Sequence, residues 1–104
     1  MTDLEALGRM EKHLIEQGHQ AIDGTTCKYR MDNGDMCAVG CLIEEYKLEY
    51  EHLDLIRVKE LANIQVSYTV LARAQMVHDE YERIEDGDWT EYITVKFAEL
   101  GGKI

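Results

Sequence analysis

Proline is absent from the 104 residues, so no helix is forced to kink or stop by a missing backbone N–H. Helix ends must be set by glycine and by side-chain caps. Positive charge is scarce: 11 Lys and Arg stand against 21 Asp and Glu, a net charge of -10. Nucleic-acid binding draws its affinity from Lys and Arg displacing counterions from phosphate, so direct DNA or RNA binding is not expected. The same charge repels an anionic membrane surface. No stretch approaches the roughly 20 apolar residues of a membrane span. The opening Met1-Thr2-Asp3-Leu4-Glu5 has neither the basic nor the apolar region of a secretory leader. The expectation is a cytoplasmic chain without membrane attachment. Cysteine is sparse and odd in number (Cys27, Cys37 and Cys41, with no C-x-x-C), which points to reduced thiols.

What remains fits one domain, 1–104. An apolar fraction of 45% is ordinary for a globular protein and argues against wholesale disorder. Thr2 and Glu5 form a capping box, and Leu4, Leu7, Met10, Leu14 and Ile15 recur at helical steps before Gly18. This predicts a helix over 3–17. Residues 22–26 read as loop. Asp32-Asn33-Gly34 reads as the turn of a β-hairpin over about 27–37, in one of two registers. A two-residue turn pairs Arg30 with Cys37; a three-residue turn with a Gly34 bulge pairs Tyr29 with Cys37. The small apolar run Ala38–Ile43 suggests a short buried helix continuing to about Lys47, and Leu53, Ile56 and Leu61 another over 53–62. Val66, Val70, Ala74, Val77, Tyr81 and Ile84 form a heptad-like stripe over 66–84. That phase points Val77 inward and sends His78 and Asp79 to the margin. Asp88 with Glu91 starts a last helix that buries Trp89, Ile93, Phe97 and Leu100. The predicted class is α+β, predominantly α: four to five helices packed with one small hairpin.

No P-loop or G-x-G-x-x-G occurs. The Cys37–Cys41 spacing loosely suits a zinc site, with Cys27 across the hairpin and His19, His52 or His78 as fourth ligand. Buried structural thiols are the ordinary reading of such cysteines. Acidic residues gather around Glu44, Glu45, Glu49, Glu51 and Asp54, and again from Asp79 to Glu91. Solvated faces explain most such runs. On one surface they would imitate the charge spacing of a nucleic-acid backbone.

Cys27-x-Tyr29-Arg30-x-x-x-Gly34-x-x-Cys37-Ala38-Val39-Gly40-x-Leu42-Ile43 resembles the signature of a family of small uncharacterised proteins of tailed bacteriophages and prophages. Ala74-Gln75-Met76-Val77-His78-Asp79 resembles a later segment of that family, and Trp89 its aromatic helix start. Glu44-Glu45 stands where the family has Pro-Asp, and Ala74 where it has leucine. The resemblance covers about a third of the chain. It implies a phage source, the bulged turn, and structural roles for Tyr29, Arg30, Cys37, Gly40, His78 and Asp79, but no activity. Together these readings favour a non-enzymatic, cofactor-free module that binds and inhibits or modulates a bacterial host protein; an acidic surface that mimics nucleic acid would suit a host protein that itself handles nucleic acid. The expected contact residues are Glu44, Glu45, Tyr46, Glu49, Tyr50, Glu82, Glu85, Asp86, Asp88 and Trp89. The alternative is a metal- or thiol-dependent protein using Cys27, Cys37, Cys41 and His78, with zinc as the cofactor. A homodimer through the 66–84 stripe is a third reading.

Overall fold

The capping box is formed. The Thr2 hydroxyl accepts the Glu5 N–H at 3.1 Å and the Glu5 carboxylate accepts the Thr2 N–H at 3.3 Å. This opens α1, Asp3–Gln17, in a computed structural model that describes residues 1–24, 26–81 and 88–103. Gly18 closes the helix, its N–H returning to the Leu14 carbonyl. Three further helices follow: α2 (Leu55–Leu61), α3 (Tyr68–Asp79) and α4 (Trp89–Gly101). Asp54, Ser67 and Asp88 cap their N-termini by accepting N–H bonds. The class is as expected, α+β and mainly helical. None of these helices is long and apolar enough to cross a membrane among the described residues.

The extended segments differ from expectation. The ladder lies earlier, between β1 (Ile22–Asp23) and β2 (Thr26–Cys27), where a loop was predicted. Over 27–37 the chain does reverse, but the pairing shrinks to a bridge between Arg30 and Met36. Its register is the three-residue one. Cys37 N–H donates to Tyr29 O, Met31 N–H donates to Asp35 O, and Gly34 takes a φ of 96° that only glycine adopts readily. The helix expected to run on to Lys47 is a single 3-10 turn, Gly40–Leu42, and a second spans Leu48–His52. Arg30 donates to the carbonyls of Gly40 and Ile43, and the Gly40 carbonyl also accepts the Ile43 N–H at 3-10 spacing, where the turn ends. The helix expected over 66–84 ends at Asp79, and Ile84 lies outside the described residues.

Buried apolar residues from every helix form one cluster. α1 packs on α4 and α3, while the 3-10 turn at Gly40–Leu42 lies against α1. Met10, Leu14, Leu71, Ile93, Val39 and Val58 are fully enclosed. Trp89 bolts α4 to α1 by donating its indole N–H to Leu14 O at 2.6 Å. At the N-terminal ends, Ser67 N–H donates to the Asp3 carboxylate, joining α3 to α1.

Among the described glycines, Gly40 is the one pressed directly against another stretch of backbone. A Cβ built there would lie 1.9 Å from the Tyr29 carbonyl oxygen and 2.8 Å from its carbon, both backbone atoms that cannot turn aside. Gly40→Ala is expected to cost more than about 3 kcal/mol, read as a lowered urea midpoint, because the two segments must separate. Gly8→Ala, with nothing within 4 Å of the added methyl, is the control and should be neutral or stabilising.

Candidate functional site

Two side chains hold the segment that carries the first acidic cluster. Glu51 accepts the backbone N–H groups of Tyr29 and Arg30 at 3.0 and 3.1 Å, and the Tyr46 hydroxyl as well. Arg30 donates from Nε to Gly40 O at 3.3 Å and from Nη2 to Ile43 O. Its guanidinium also lies over the Tyr46 ring, 5.4 Å from the centroid. The loop from Ile43 to His52 is thereby tied down at both ends. Glu44, Glu45 and Glu49 face solvent on it, and Leu48, at 75% exposure, stands among them. A cleft of about 440 Å³ opens beside Glu44 and Glu45, with Arg9, Lys47 and Asn63 on its walls.

The aromatic part of the expected surface is different. Tyr50 is 2% exposed and belongs to the core, packed edge-on against Tyr46, so it cannot anchor a partner. Trp89 is 6% exposed and is spent on Leu14 and on the rings of Tyr81 and His78. Tyr46 is half-buried, and burial followed by its bond to Glu51 raises its hydroxyl pKa. Asp88 is exposed, with its carboxylate capping α4 through Thr90 N–H. Glu82, Glu85 and Asp86 lie outside the described residues. Of the expected contacts, Glu44, Glu45 and Glu49 are thus freely presented, with Leu48 as an addition that its place in the least patterned stretch of sequence concealed.

The three thiols do not converge into a ligand set. Cys37 is fully buried, and its sulfur accepts the Gly40 N–H at 3.3 Å. Cys41 donates its thiol to Ala38 O at 3.0 Å. Burial pushes both thiols up, Cys41 to about 11 and Cys37 further. Neither is a nucleophile near neutral pH. Instead Cys27 meets His78 and Asp79, with candidate ligand atoms all within 4.8 Å of one another.

His78 is enclosed completely, although the stripe in the sequence placed it at the margin. Its hydrogen-bond partners fix its tautomer. Ala21 N–H donates to Nε2 at 3.0 Å, so the proton of the neutral ring is assigned to Nδ1, which donates to Asp79 Oδ1 at 2.7 Å. Gln75 donates to the same oxygen at 2.8 Å and accepts the Val39 N–H at 3.1 Å. Gln20 donates to the His78 carbonyl at 2.7 Å. Asp79 therefore pairs with His78 and Gln75, while Arg30 is engaged at Gly40 and Ile43. A metal at Nδ1 would have to displace that proton to Nε2, where it would oppose the Ala21 N–H. Metal-bound histidines instead donate from their second nitrogen. The cluster is built as a hydrogen-bonded strut.

His78→Ala should cost about 3 kcal/mol in denaturant unfolding, since it leaves Ala21 N–H without an acceptor and opens a void. Equimolar zinc added to the reduced protein should leave the melting temperature unchanged. A rise that disappears in His78→Gln would show that the network yields to the metal.

No protein-family model, curated protein or solved structure matches the chain, so its functional reading rests on its own residues.

Proposed function

We propose that this chain is a non-enzymatic protein-binding module, phage-encoded, that binds a bacterial host protein and inhibits or modulates it. The observation that carries the reading is the acidic loop: Glu44, Glu45, Leu48 and Glu49 are all exposed on a backbone held by Arg30 and Glu51. A surface already fixed in shape loses little conformational entropy on binding. An exposed apolar side chain on an acidic loop combines an anchor with steering toward a basic partner. The net charge of -10 acts in the same direction and suits a host protein whose own ligand is nucleic acid. The phage source rests on the Cys27-to-Ile43 signature.

Capture from bacterial lysate, followed by native mass spectrometry, tests the reading with paired baits. The wild-type chain should retain a stoichiometric basic host protein. Glu44→Lys/Glu45→Lys/Glu49→Lys and Leu48→Ser should each weaken retention by about tenfold or more, a loss of about 1.4 kcal/mol. The triple variant should also lose the salt sensitivity of binding. A partner held equally by all three baits would overturn the acidic loop as the contact surface.

A further inference from the structure

On the side of the bundle where the first turns of α1 and α3 meet the last turn of α4 lies a cleft of about 210 Å³. Its floor is apolar, formed by Leu7, Val70 and Leu100. Its rim carries two cations, Arg73 and Lys103, beside the Thr69 hydroxyl. The carboxylate on this lining, Asp3, already accepts the Ser67 N–H at 3.0 Å. Arg73 and Lys103 form no ion pair among the described residues, whereas Lys12, Arg57 and Lys96 each pair within their own helix. In a chain of net charge -10, two uncommitted cations above an apolar floor reverse the prevailing sign locally.

Those features select an occupant. The cations call for an anion, and arginine's planar fork matches a carboxylate in particular. The floor calls for an apolar group on the same molecule. Whole small-molecule ligands occupy clefts of about 300–1,000 Å³; this one has room for a single side chain and its carboxylate. We propose that the cleft receives the C-terminal residue of a polypeptide partner. An apolar side chain rests on Leu7, Val70 and Leu100, and the α-carboxylate lies between Arg73 and Lys103. Capture of a free chain end by converging donors is a recurring mode of peptide recognition. The site is separate from the acidic loop and does not depend on the function proposed for it.

The test titrates isotope-labelled full-length protein with four probes and follows backbone amide shifts. They are acetyl-Gly-Gly-Leu with a free carboxylate, the same peptide as its C-terminal amide, acetyl-Gly-Gly-Gly, and hexanoate. The free leucine peptide should shift Leu7, Thr69, Val70 and Leu100 saturably. The amidated and the triglycine peptides should each bind about tenfold more weakly. Arg73→Gln and Lys103→Gln, both at exposed positions, should produce similar losses with an unchanged melting temperature. Equal binding of the amidated peptide would remove the carboxylate from the proposal. Equal binding of triglycine would remove the apolar floor. Hexanoate binding as tightly as the peptide would replace the chain end by a free fatty acid, and shifts elsewhere in the protein would overturn the site.

Discussion

At Gly40 two stretches of backbone pass so near each other that the Tyr29 carbonyl occupies the space of a methyl group. Much of the non-helical half of the protein depends on that contact. It sets the Tyr29–Arg30 segment against the 3-10 turn, which brings the Arg30 guanidinium to the carbonyls of Gly40 and Ile43. The same placement offers two consecutive N–H groups to Glu51. Backbone donors and acceptors that regular structure leaves unpaired are thus satisfied by two charged side chains. Both side chains are half-buried, and backbone dipoles meet their charges there.

A second polar junction serves the helical half. α3 ends where Gln20 and Ala21 arrive from the end of α1, and His78 is the residue both of them meet. The neutral imidazole acts as a connector with one donor and one acceptor, each already matched. Such an arrangement gives specificity of packing at the cost of tolerance, because any change of protonation or any ligand must leave a buried group unpaired.

How much of this could be read in advance depended on how local its cause was. α1 was legible because Thr2, Glu5 and Gly18 carry their own instructions, and α4 because Asp88 caps it and its apolar residues recur in phase. Both possible turns at Asn33-Gly34 were legible, but the choice between them was not. It is made by His13 and Gln17 of α1, whose side chains hold the Met36 backbone. α3 misled for a similar reason. Val70 and Ala74 fit two phases of the helix, and Val77 with Tyr81 favoured the wrong one. The phase that occurs buries Leu71 and His78, and a histidine looks polar until its distant partners are known. Among the expected contacts, the glutamates were legible from charge. The fate of Tyr50 and Trp89 was not, since an aromatic at a loop or a helix start suits a core and a surface equally well.

The burial of Trp89 has an optical consequence. It is the only tryptophan in the chain, and it sits where α1, α3 and α4 meet, edge-on to Tyr81 and His78 with its N–H committed to Leu14. Its emission therefore belongs to one environment and reports the docking of the bundle without interference from a second indole. The acidic loop and the Arg73–Lys103 cleft are built from other residues, so a surface substitution that leaves this signal in place has altered recognition while the fold is intact. The molecule carries its own internal standard for separating the two.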